Sequence, residues 1–159
     1  PDHAGGSKPV VDALGIPFWA PEGDAAAIEQ GHTVGPDGPL KGLMERGGRF
    51  GTVPIARRLR EGDEIGHGFV VLDTPGHSPG HVSFWREADR VLICGDVWFN
   101  LSLLTLRPGL RPPLRLPTVD PARNSRSQAR LVDLRPDVVG FGHGPVLTGA
   151  TGKLRAFPA

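Results

Sequence analysis

The chain has 159 residues, a formal net charge of +1, and 38% hydrophobic, 6% aromatic and 22% charged residues, the profile of a single globular domain rather than a disordered tail or a fibre. With 18 Lys+Arg against 17 Asp+Glu and no basic block, it lacks the electrostatic footprint of a nucleic-acid or anionic-membrane binder. The single cysteine, Cys94, excludes an internal disulfide framework and leans toward a cytoplasmic location, while the most apolar stretch, 91–106, is interrupted by Asp96 and Asn100 and is not a membrane span.

Residues 7–14 (SKPVVDAL) place Val10, Val11 and Leu14 between a Gly-Gly entry and Gly15, which predicts a short helix. Residues 16–20 (IPFWA) predict a strand, and residues 24–29 a second helix opened by Asp24 as its cap. From 31 to 51 the chain is rich in glycine and reads as an insertion or lid, with a helical turn or two over 40–46. Residues 55–60 (IARRLR) read as helical, and 61–64 as a turn into a buried strand at 68–72 (GFVVL). Two further strands, 81–85 (HVSFW) and 90–94 (RVLIC), are joined by a hairpin turn at 87–89. Residues 100–120 hold too many prolines for a helix and form a long loop carrying Arg107, Arg111 and Arg115. The helix over 121–134 starts from an Asp120 cap with Pro121 at its first position, and 137–141 (DVVGF) is a last buried strand.

The turns that succeed the apolar runs carry the chemistry. GFVVL leads into Asp73-Thr74-Pro75-Gly76-His77, RVLIC into Gly95-Asp96, and DVVGF into Gly142-His143-Gly144; Asp2-His3-Ala4-Gly5-Gly6 has the same character. Each is a glycine-bearing turn that presents His or Asp, with a strand beneath three of them to fix position. Imidazole and carboxylate suit zinc, manganese or iron, and five such groups on four loops are enough for two ions sharing a carboxylate. A chain of this length buries roughly two-thirds of its unfolded surface, so metal here would serve chemistry rather than folding. His77 and His81 have helical spacing, but Pro79 and Gly80 forbid that helix. His81 therefore opens the next strand as a supporting or packing residue. Asp73 either orients a ligand histidine or caps the turn, Cys94 is a buried small hydrophobe, and His32 and His67 are set aside as turn residues.

The ordered motifs PDHAGG, TPGHSPGH, LICGD and FGHGP resemble those of the metallo-β-lactamase superfamily, in its glyoxalase II-like branch, over essentially the whole chain. The resemblance implies a mixed α/β (α+β) fold, the αββα sandwich, as a single domain over 1–159. Pro1-Asp2-His3 is similar to the end of the family's H-x-H-x-D-H motif, so the chain reads as lacking the N-terminal strands and the first two histidines. By that resemblance the metal ligands are Asp2, His3, His77, Asp96 and His143, with Asp96 bridging and Asp2 and Asp96 as catalytic residues. The cofactors are two divalent ions, zinc first, with iron or manganese open.

The implied activity is hydrolysis, a metal-bridging hydroxide attacking an ester, thioester or lactone carbonyl of a small-molecule substrate. Asp96 stands where the commonest β-lactamases of this family carry cysteine, which disfavours antibiotic hydrolysis. The absence of tyrosine disfavours the family's usual lactonases, and the short tail after His143 lacks the helical thiol-binding domain of glyoxalase II. Lys41, Arg57, Arg58 and the arginines of 100–120 either receive an anionic substrate group or are solvated charges. The alternatives are a mononuclear iron enzyme oxidising thiol persulfides, against which the second ligand set argues, and a non-catalytic binding domain.

Overall fold

Valine-, leucine- and tryptophan-rich runs in the middle of the chain build the central sheet of the computed structural model, which describes residues 3–34, 42 and 47–157. Five strands lie in the order β3 (Val70–Asp73), β4 (Val82–Arg86), β5 (Val91–Ile93), β8 (Val138–Gly140) and β9 (Leu147–Thr148). Neighbours pair antiparallel except β5 with β8, which run parallel. Trp85, Leu92 and Val139 stand side by side in register across β4, β5 and β8. They pack with Leu131 of helix α3 (Pro121–Asp133) and with Ala150 and Leu154 of helix α4 (Ala150–Arg155) in the main core. A fully buried side chain such as Leu92 contributes about 1.5–3 kcal/mol in removing apolar surface from water.

Before the sheet come α1 (Ser7–Leu14), β1 (Trp19–Pro21), α2 (Glu22–Glu29) and β2 (Arg57–Leu59); between β5 and α3 lies the hairpin β6 (Phe99–Leu101) and β7 (Pro108–Arg111). The first helix, the central strands, α3 with Asp120 accepting the Arg123 N–H as N-cap, and the last buried strand fall where the sequence places them. Gly15 closes α1 in the left-handed region, φ 62°.

Four expectations are corrected. Residues 55–60 do not form a helix: Arg57–Leu59 is a strand parallel to β1. Its alternation explains this, since Leu59 is buried while Arg58 reaches Glu22 at 3.2 Å and Glu29 at 3.1 Å on α2. Residues 16–20 yield only a short strand shifted to Trp19–Pro21. Asp24 does not cap α2, which begins at Glu22; its carboxylate instead takes the Gly80 N–H at 2.7 Å and the Ser78 hydroxyl. The 100–120 segment has no helix, as expected, but it does contain the β6–β7 hairpin. The edge strand β9 and helix α4 follow the last motif without a strong sequence signal. Asp2, Lys41 and, apart from Gly42, the helical turn expected over 40–46 lie outside the described residues. Among the described residues no helix is long and apolar enough to cross a membrane.

Because β5 and β8 are parallel and β4 is antiparallel to both of its neighbours, β3, β5 and β8 all end at the same edge of the sheet. The turns bearing His77, Asp96 and His143 leave from that edge.

Candidate metal centre

His77 sits in the turn after β3, and that turn is clamped from two sides. Gly76 has φ 138°, and a Cβ there would overlap the backbone of Asn124, so only glycine allows α3 to come so close. The Gly76 carbonyl accepts from the Asp120 N–H at 2.8 Å, and the His77 carbonyl from the Val119 N–H at 3.1 Å. On the other side Asp24 holds Ser78 and Gly80. The Thr118 hydroxyl donates to the Leu114 carbonyl at 2.7 Å, so its oxygen accepts from Nδ1–H of His77 at 3.2 Å. That fixes the His77 tautomer and turns the Nε2 lone pair toward Asp96.

Asp96 occupies a single turn, Gly95–Val97, directly after β5 and is 3% exposed. Its N–H donates to Nε2 of His81 at 3.0 Å; Nδ1–H of His81 donates to Thr74 Oγ1 at 2.9 Å, and Thr74 is joined to Ser83 Oγ at 2.8 Å. Burial, with repulsion from His77 added, holds the His81 imidazole far below its ordinary value, at about 4, so it stays neutral and can accept. Asp96 Oδ2 lies 3.0 Å from Nε2 of His3, 3.3 Å from Nε2 of His77 and 3.6 Å from Nε2 of His143. Burial alone would raise the Asp96 pKa, but the His3 contact and the three imidazoles outweigh it and hold the carboxyl below the usual range.

His143 follows β8 in a turn tied to the Asp96 loop. The Gly142 N–H donates to the Gly95 carbonyl at 2.9 Å, and the Asn100 N–H to the His143 carbonyl at 2.8 Å. Phe99 packs edge-on against the His143 ring, centroids 4.5 Å apart, and His3 does so from another side at 5.3 Å. The ligand atoms of His3, Asp96 and His143 all lie within 4.8 Å of one another. His77 reaches the same carboxylate without joining that mutual trio.

This donor set fits a metal ion of the zinc, iron or manganese class. Asp96 Oδ1 is buried with no hydrogen-bond partner among the described residues, a state that costs about 1–3 kcal/mol unless something else satisfies the atom. A Cβ at Gly142 would overlap Asp96 Oδ1 and stand 2.7 Å from His3 Cε1, so the glycine keeps the centre open. A cavity of about 770 Å³ adjoins the cluster, with Ile28, Phe50, Val82, Phe84 and Phe141 among its walls.

The structure thus brings together His3, His77, Asp96 and His143 from three strand ends and the N-terminal segment. Asp2 lies outside the described residues. Asp73 is exposed, and among the described residues no hydrogen bond joins its carboxylate to a ligand histidine; its backbone N–H goes to Glu61 and its carbonyl takes Arg130 at 2.9 Å. Arg57 is paired with Asp63 and stacked on Trp19, and Arg58 is held by α2, so their charges are engaged within the fold. Cys94 is fully buried, and that burial pushes its thiol far above the ordinary value. His67 stands in a turn at φ 52°, as a turn residue should, whereas His32 is a wall of the cavity. Sequence reasoning did not single out Thr118; its one signal was its place just before the Asp120-Pro121 helix start.

The metallo-beta-lactamase superfamily model matches residues 1–143. The chain is 29% identical over 143 residues to the probable metallo-hydrolase YybB of Bacillus subtilis, covering 90% of this chain and 60% of that protein. It is 34% identical over 103 residues to a hydroxyacylglutathione hydrolase of Methylococcus capsulatus, covering 59% of this chain and 40% of that protein. The crystal structure of TTHA1623 in a di-iron-bound form superposes with a TM-score of 0.68 at 32% identity, covering 95% of this chain and 69% of that one. The chain therefore spans between two-fifths and three-fifths of the length of these two curated relatives. Its ordered motifs, the turns they occupy at one sheet edge and these likenesses agree: the chain belongs to the metallo-beta-lactamase superfamily.

Proposed function

We propose that this chain is the metal-binding body of a hydrolase acting on a small-molecule ester, thioester or lactone. His3, Asp96 and His143, joined by Asp2, would hold one divalent ion, and His77 with Asp96 a second, zinc or iron being the leading candidates. The observation that carries the reading is the buried carboxylate of Asp96, with three imidazole Nε2 atoms within 3.6 Å of one oxygen and no hydrogen-bond partner among the described residues on the other. When bound, the ions supply Lewis-acid polarisation of a carbonyl and acidify water at neutral pH.

The chain's own residues prepare that chemistry. Thr118 keeps the proton of His77 on Nδ1, leaving Nε2 as the donor atom. Neutral His81 takes the Asp96 N–H and so sets the direction in which the carboxylate leaves the backbone. No serine or cysteine nucleophile is required, in keeping with the buried thiol of Cys94. A hydroxyacylglutathione hydrolase among the relatives supports the thioester class, and the iron in TTHA1623 supports iron beside zinc.

The test is elemental analysis of the purified protein and of Asp96→Ala, followed by release of free thiol from a set of acyl thioesters and opening of lactones. Metal that co-purifies and is lost in the variant, together with turnover, upholds the reading. A protein that takes up no zinc, iron or manganese sinks it.

A further inference from the structure

We propose that Asn124, Ser127 and Gln128 are positioning residues for the metal centre, three buried side chains of α3 that hold the His77 and Asp96 turns in one fixed relation. The proposal rests on the reading of that cluster as a metal site. It begins with an inversion of the usual helix pattern. The buried positions of α3 are 124, 127, 128 and 131, the spacing of one helix face. Only Leu131 is apolar. A face built only for packing would hold hydrophobic side chains, because burying amides and hydroxyls is unfavourable unless each finds a partner.

The partners chosen by these side chains are specific. Gln128 Nε2 donates to the Val97 carbonyl at 2.8 Å, and Asn124 Nδ2 donates to the same oxygen at 3.2 Å. Val97 directly follows Asp96. Ser127 Oγ donates at 2.8 Å to the carbonyl of Pro75, two residues before His77. With Asp120 N on Gly76, Val119 N on His77 and Thr118 on the His77 ring, the segment 118–128 grips both turns. Asn124 Oδ1 has no hydrogen-bond partner among the described residues; the amide is kept for what its nitrogen holds. One helix start therefore sets the distance between two ligand-bearing turns that come from different strands. Outer-shell partners of this kind typically change metal affinity 10–100-fold when removed.

The variants are Gln128→Met, which keeps the volume and loses the donor, Ser127→Ala, and Ser127→Thr, which keeps the hydroxyl. Leu131→Ala on the same face is a purely packing control. Cobalt(II) affinity is read from visible absorption against a competing chelator, beside Tm and amide hydrogen exchange of the metal-free proteins. The expected result is a 10–100-fold loss of cobalt affinity in Gln128→Met and Ser127→Ala, near wild-type affinity in Ser127→Thr, and less loss in Leu131→Ala even where its Tm falls further. Equal affinity in all four, or a loss that simply follows Tm across them, overturns the proposal.

If the wild-type protein binds no cobalt, the metal reading has failed and the positioning claim is decided by exchange alone. Faster exchange at Gly76, His77, Asp96 and Trp98 in Gln128→Met and Ser127→Ala, with the β5 amides unchanged, upholds it; unchanged exchange at those four overturns it.

Discussion

Nε2 of His81 accepts the backbone N–H of Asp96 at 3.0 Å, so the histidine lying nearest His77 in the motif faces the protein rather than the cluster. His81→Phe keeps a ring in place and removes both nitrogens. Leaving the Asp96 N–H and the Thr74 hydroxyl without this partner should cost about 1–3 kcal/mol of stability. Metal affinity should fall about tenfold or more as the carboxylate loses its anchor. Denaturant unfolding and zinc titration check the two effects, and an unchanged zinc affinity would remove His81 from its supporting role.

Thr118→Val removes the acceptor of His77 Nδ1–H while keeping the shape of the side chain. The expected outcome is a mixed His77 tautomer, seen in the nitrogen shifts of the imidazole by NMR, and about 10–100-fold weaker zinc binding. A single unchanged tautomer would show that something other than Thr118 fixes the ring.

Gly142→Ala is a steric test of the centre. The added methyl would overlap Asp96 Oδ1 and crowd His3, and the backbone at 142 is not in the left-handed region. The strain is therefore directed at the cluster. Metal content of the purified variant should drop to near zero while its circular dichroism stays that of the parent. Full metal loading in Gly142→Ala would place the ions elsewhere.

Arg130 gives a pH-dependent contribution through its pairing with Glu61. Burial by itself would raise the Glu61 carboxyl, but the Arg130 contacts at 2.6 and 3.2 Å and the Asp73 N–H outweigh it and hold the pKa below 4.5. A carboxyl depressed in the folded state binds its proton more readily when unfolded, so its stabilisation is present above about pH 4.5 and is lost as pH falls through the lowered value. The Tm difference between the wild type and Arg130→Gln should therefore be largest near neutrality and shrink toward pH 3. A difference that stays constant with pH would mean that Arg130 acts through its bond to the Asp73 carbonyl instead.

His77, Asp96 and His143 were legible because each follows an apolar run and carries its own glycine, and His3 because its Asp-His-Ala-Gly-Gly turn has the same character. Val91-Leu92-Ile93 announces a strand, and Gly95-Asp96 announces what the strand presents. The residues that hold those side chains were not legible. Thr118 sits in a proline-rich loop without periodicity, and its bond to His77 spans 41 positions. Asn124 and Gln128 carry no sequence signal of burial, because polar residues at helical spacing ordinarily point to water. Arg57 and Arg58 read as helical because a charged run has no period of its own; only the acids of α2 and the neighbouring β1 decide for a strand. Long-range partners chose the outcome in each case, and they leave no local mark.

Asp96 and His143 each follow by three residues a strand of the central sheet's parallel pair, with Leu92 opposite Val139. Their separation is accordingly ruled by the spacing of adjacent strands, about 4.8 Å, and not by the chain that connects them. The tip of the β6–β7 hairpin, where Leu104 and Leu106 are exposed, can lengthen, shorten or exchange its side chains while Phe99 and Asn100 at its base stay on His143. Diversity in what approaches the centre can therefore accumulate on that excursion without retuning the centre itself.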